Sequence, residues 1–253
     1  MTAGQRKLMS GFWFGVAVLF VAGLALVALY TPDEQTMGPV QKIFYLHLPV
    51  AINTFLACLT AFIASIGYLW QRRAWWDDLA SAAARVAVQF CGVVLLTGMA
   101  WGRLAWGVWW TWSPRLTFSL ALFLLYVVYL LVRSSVEGRE RRAVIAAVYA
   151  IIAFLDVPLV WLSARLMPDI HPSSVELASA MKLTLAAWFV PVTLLAAGLI
   201  FVRFNLNCRQ RIASVAVSEA ELKSLLSRAK SVELKPRQTP RQEKHSWKAA
   251  GVP

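Results

Sequence analysis

Six long apolar runs, at about residues 11–30, 49–70, 82–101, 116–132, 143–162 and 182–202, constrain this chain more than any other feature. A helix of about 20 apolar residues spans a hydrocarbon core roughly 30 Å thick. Inside lipid the backbone meets no water, so a spanning segment must satisfy its own N–H and C=O groups. The runs are continuous, unlike the alternating segments of about ten residues that build an outer-membrane barrel. The chain has 253 residues, 59% hydrophobic and 15% charged, with a mean hydropathy of +0.60. A soluble protein of that length could not hide so much apolar surface. The expected fold is an all-α polytopic membrane protein of six transmembrane helices. The first run is too long for the core of a signal peptide and lacks a small-x-small cleavage site, so it counts as helix one.

Basic residues set the expected orientation, because cytoplasmic connections carry the excess of Lys and Arg. Arg6 and Lys7 precede the first run, and the even connections hold Arg72, Arg73, Arg133, Arg139, Arg141 and Arg142. The odd connections hold only Lys42, Arg103, Arg115, Arg165 and Lys182. Both termini are therefore expected in the cytoplasm, and three connections meet on the outer face. Residues 1–203 form the expected six-helix domain, and 204–253 a basic cytoplasmic tail. That tail holds ten Lys/Arg against four Glu, a large share of the formal charge of +12. Such a charge points to anionic lipid headgroups here and not to nucleic acid. Ser218-x-x-Glu221 reads as a capping box that opens a short amphipathic helix over about 218–232. Disorder is expected after Pro236, where the composition turns polar and basic.

The outer connection 103–115 is far too aromatic for a solvated loop. It reads Arg-Leu-Ala-Trp-Gly-Val-Trp-Trp-Thr-Trp-Ser-Pro-Arg and holds Trp106, Trp109, Trp110 and Trp112, four of the chain's 12 tryptophans. An interfacial belt accounts for one or two of them. Four within seven residues, with Arg103 and Arg115 at the ends, suit a flat, mostly apolar ligand with an anionic edge.

Two histidines stand on the same face, His47 before the second run and His171 before the sixth, and the third, His245, lies in the tail. Neutral imidazoles from two helices can occupy both axial positions of a haem iron. Arginine matches the haem propionates through paired, charge-assisted hydrogen bonds, with Arg115 the first candidate and Arg103 and Arg165 behind it. Asp156, two residues before Pro158 in the fifth run, reads as a structural carboxylate at a kink. Cys58, Cys91 and Cys208 form no CxxC or CxxCH pattern, which speaks against a disulfide framework or covalent haem attachment. Walker A, HExxH and GxSxG motifs are absent as well.

The window from Trp106 to Thr117 resembles the tryptophan-rich "WWD" signature of haem-handling proteins. Lys42-Ile43-Phe44-Tyr45-Leu46-His47-Leu48-Pro49-Val50-Ala51 is similar to the first histidine segment of the CcmC family of system I cytochrome c maturation. The resemblance covers roughly residues 11–203. It implies that His47 and His171 are axial ligands of haem b and that the Trp window is an external platform. It further implies delivery of haem to the periplasmic chaperone CcmE, beside the transporter subunits CcmA and CcmB and the small CcmD. The implied location is the bacterial inner membrane; the activity expected from the sequence is haem transfer and transport and not enzymatic turnover, with haem attachment to the partner left open. Ser113 stands where the signature usually has Asp, and Leu166 and Met167 where the second histidine segment usually has a Trp pair. The competing readings are a cytochrome b-like electron-transfer subunit and a haem-free transporter or assembly scaffold. The former would normally need histidine pairs at more than one depth, and the latter would reduce the Trp window to an interfacial belt.

Overall fold

A computed structural model describes residues 3–166 and 177–233. His171 and Met167 lie outside the described residues, as do His245 and the segment after Pro236. The described residues are almost wholly helical: α1 (Ala3–Ala25), α2 (Phe44–Gln71), α3 (Ala74–Trp106), α4 (Pro114–Ser135), α5 (Arg139–Ala153), α6 (Asp156–Leu166) and α7 (Ser179–Glu233). α5 and α6 share one apolar span, and six spans are long and apolar enough to cross a membrane.

The helices outrun their apolar runs. α2 starts at Phe44 rather than near residue 49, so His47 sits in its first turn. α3 takes in Trp75 through Asp78 at its start and Gly102 through Trp106 at its end. α7 does not stop near residue 202 but continues to Glu233 and covers the predicted 218–232 helix. Apolar length marks what lipid can cover, whereas a helix ends where its backbone finds a cap. Two compact units divide the chain, residues 1–208 and 209–253.

α2 packs most extensively against α3, and small residues allow it. Ala57, Ala61 and Ala64 of α2 and Ala80, Ala83, Ala84 and Ala87 of α3 are all buried. In lipid there is no hydrophobic drive between helices, so close backbone approach and dispersion take its place. α5 contributes a similar stripe, Ala143, Ala146, Ala147, Ala150 and Ala153, and also packs on α2. α1 meets α7 where Gly23 lets the Trp188 indole lie on its backbone: a Cβ there would stand 3.0 Å from the ring. The indole N–H donates to the Gly23 carbonyl at 3.1 Å.

Directed polar contacts also link the helices. The Asn53 amide on α2 donates to Thr193 Oγ1 on α7 at 3.1 Å and to the Pro49 carbonyl at 2.9 Å. At the other end of the bundle the Arg133 guanidinium of α4 grips the Asp77 carboxylate of α3, with Nη2 to Oδ2 at 3.0 Å and Nη1 to Oδ1. The fifth span breaks at Phe154–Leu155, just ahead of Asp156, the first residue of α6. Pro158 has no N–H to return to Phe154, so the ladder cannot run through.

Candidate functional site

One end of the bundle is built by the first turn of α2, the last turns of α3, the connection 107–113 and the first turn of α4. Gly107 ends α3 in the left-handed region (φ +77°), its N–H returning to the Arg103 carbonyl at 3.2 Å. That conformation favours glycine, and a helix C′ position commonly uses it. The Arg103 guanidinium then bonds the Gly107 carbonyl. Pro114 opens α4 after an extended Ser113, and Thr117 returns both its N–H and its hydroxyl to the Ser113 carbonyl at 2.9 Å. The connection is pinned at both ends, although it has no regular structure of its own.

Two adjoining cavities lie beneath it. The smaller, about 60 Å³, is walled by His47, Trp101, Trp106, Trp109, Trp110 and Arg115 among others. The larger, about 480 Å³, shares His47, Trp101 and Arg115 and adds Phe44 and Phe55 of α2, Trp161 of α6 and Leu185 of α7. That volume falls within the roughly 300–1,000 Å³ of small-molecule sites, which are mainly apolar with a few placed polar groups.

Trp101 joins the parts. Its side chain is buried, and its ring lies 6.0 Å from Phe44 and His47, edge-on to both, and 6.1 Å from Trp106 at an interplanar angle of 22°. His47 Nδ1 lies 2.8 Å from the Thr97 hydroxyl on α3. Arg115, in the first turn of α4, lies on the wall common to both cavities, where the helix N-terminus adds partial positive charge. Trp110 Nε1, Thr111 Oγ1 and Ser113 Oγ are shut off from solvent with no hydrogen-bond partner among the described residues. A buried donor without an acceptor is costly, and an acceptor on a bound molecule would relieve it. The residues present therefore fit a flat, largely apolar molecule with an acidic edge.

The structure sorts the predicted site residues. His47, Trp106, Trp109, Trp110 and Arg115 converge on the cavities. Trp112 is 75% exposed and stays outside both walls, its ring edge-on to Trp110 at 5.8 Å. Arg103 is also outside the walls, holding the loop through Gly107. Thr97, Phe44 and Trp161 were missed by reading the sequence. Thr97 and Phe44 carry one trace there: Thr97 precedes Trp101 by one helical turn, and Phe44 precedes His47 by three residues. Arg165 stacks over Trp161 with its guanidinium carbon 3.9 Å from the ring centroid. Among the described residues no three His, Cys, Asp or Glu side chains gather as a metal cage.

Fold and site define a multi-pass helical membrane protein with an aromatic-walled cavity at one end of its bundle, lined by an imidazole and a guanidinium. Comparison with known proteins gives the class a family. Residues 2–225 match the family model described as CcmC, Heme exporter protein C, and the chain belongs to that family. It is 32% identical over 219 residues, 82% of each chain, to the "Heme exporter protein C" of Bradyrhizobium diazoefficiens. To the protein of the same name from Escherichia coli K12 it is 30% identical over 173 residues, 67% of this chain and 70% of that one.

Proposed function

We propose that the protein handles haem at the periplasmic face of a bacterial inner membrane and passes it on for cytochrome c maturation. The observation that carries this reading is the convergence of His47, Arg115 and the indoles of Trp101, Trp106, Trp109 and Trp110 on adjoining cavities. The name borne by its relatives, "Heme exporter protein C", supports it.

In this reading haem b is cargo. His47 from α2 and His171, from the segment before α7, are its axial ligands. The indoles give the macrocycle an apolar seat, and Trp112, exposed at the rim, extends that platform outward. Arg115 pairs with a propionate, while Trp110 Nε1 and Thr111 Oγ1, on the wall of the smaller cavity, offer donors to the same acidic edge. Arg103 acts at the site by shaping the loop. No covalent bond of haem is made or broken by these groups, so the activity is positioning and transfer, not catalysis. The receiving partner is the periplasmic chaperone CcmE, with CcmA, CcmB and CcmD assembled alongside. Both termini lie in the cytoplasm, where the basic tail 204–253, which carries the C-terminal part of α7, meets anionic lipid.

The test is the visible spectrum of the purified full-length protein beside His47→Ala and His171→Ala. The expected result is a low-spin, bis-imidazole haem spectrum that both substitutions abolish. A wild-type protein without haem, expressed with its partners and ample haem supply, would refute the ligation site.

A further inference from the structure

We propose that Thr97 fixes His47 in the tautomer that offers Nε2 to a metal, through a neutral acceptor that keeps the ligand exchangeable. The inference rests on the reading of His47 as a haem ligand and assigns Thr97 as its positioning residue.

The argument counts protons. Thr97 Oγ1 lies 2.7 Å from the Val93 carbonyl and 3.2 Å from that of Val94. These are helix-internal bonds in which the hydroxyl can only donate. A threonine hydroxyl has a single proton, and the carbonyls of α3 claim it. Toward His47 Nδ1, 2.8 Å away, the same oxygen therefore presents a lone pair. Two lone pairs facing each other at that distance repel, so Nδ1 carries the hydrogen and donates it. A neutral imidazole has one N–H, and Nε2 is then the basic nitrogen. The chain of bonds runs from His47 Nδ1–H to Thr97 Oγ1 and from Thr97 Oγ1–H to the Val93 carbonyl.

The nature of the acceptor decides how strong a ligand results. A metal-bound histidine that donates to a carboxylate gains anionic character and binds more strongly. Thr97 is uncharged and already spends its own proton on the backbone. It orients the ring without adding that donor strength. For a protein that must release what it holds, a well-aimed but modest ligand is the useful one.

The experiment uses full-length protein with 15N-labelled histidine in detergent, free of haem, with His47 assigned by difference from His47→Ala. Ring-nitrogen shifts report the tautomer in the wild type, Thr97→Ser and Thr97→Val. The expected result is the Nδ1–H form in the wild type and in Thr97→Ser, and a mixture in the near-isosteric Thr97→Val. Haem affinity should follow, falling on the order of 10-fold in Thr97→Val and holding in Thr97→Ser. Thr97→Asp, which supplies a charged acceptor, should bind haem more tightly by a similar factor. An Nε2–H tautomer in the wild type, or a Thr97→Val tautomer like the wild type's, overturns the assignment. So does a Thr97→Asp affinity no higher than the wild type's. The two readings fail separately. A wild type holding the Nδ1–H form but taking up no haem supports the hold by Thr97 and refutes haem ligation. A haem-loaded wild type with the other tautomer does the reverse.

Discussion

Asp77→Asn tests the packing logic at the end of the bundle away from the cavities. Arg133 meets the Asp77 carboxylate with both terminal nitrogens, and the two side chains are only 12% and 8% exposed. Removing one partner of a buried pair leaves an uncompensated charge and costs about 3–5 kcal/mol. The lower end applies here, because the guanidinium keeps the Tyr129 hydroxyl at 3.5 Å and its stem, in the last turn of α4, can extend toward the interface. Asp78 is no ready substitute, since its backbone carbonyl accepts from the Asn207 amide and its carboxylate from Cys208 Sγ. Asp77→Asn should therefore cost about 3 kcal/mol. The double variant Asp77→Leu/Arg133→Met removes both charges and should recover most of that loss. Unfolding in mixed detergent micelles, followed by helical circular dichroism, gives the numbers. Haem binding should persist in folded Asp77→Asn, because Thr97 lies 20 residues further along α3, about 30 Å of helix. A loss below about 1 kcal/mol, the worth of an exposed pair, would refute the reasoning. So would a double variant no more stable than the sum of the singles.

Two further outcomes concern the connections that precede α4 and α2. Gly107→Ala places a side chain at φ +77° with nothing within 4 Å of its Cβ, so the cost is conformational only, about 1 kcal/mol. Gly107→Asn should cost less, and haem affinity in Gly107→Ala should fall because the Trp loop starts there; equal stability of both with wild type would refute the left-handed cap. In the connection before α2, the backbone N–H groups of Met37 first, then of Thr36, hold the half-buried Glu34 carboxylate below its usual range. Its contribution to the turn is full above the ordinary glutamate range and is lost as the pH falls through the lower, folded value. The Met37 amide shift against pH should therefore titrate below the ordinary value, and a midpoint at or above it would refute the cap.

The sequence by itself determined the membrane class, the six spans and the aromatic character of one connection. The physical reason is local: a run of lipid-crossing length leaves its backbone no choice but helix. The same locality made Arg115, His47 and the Trp window legible, because each is an expensive or unusual residue beside an apolar run. Tertiary structure decided which of those residues share a cavity. Trp106 and Trp112 are equally prominent in the sequence, but α3 persists through Trp106 and carries it into the wall, whereas Trp112 is left exposed. Thr97 was silent for the same reason. A helix apolar nearly all round carries no mark of which face meets which neighbour. Only the packing of α2 on α3, through their alanines, brings a hydroxyl 50 residues away to His47. The break at Phe154–Leu155 sits between these cases: Pro158 announced a kink near Asp156, and the fold chose the residue at which the ladder gave way.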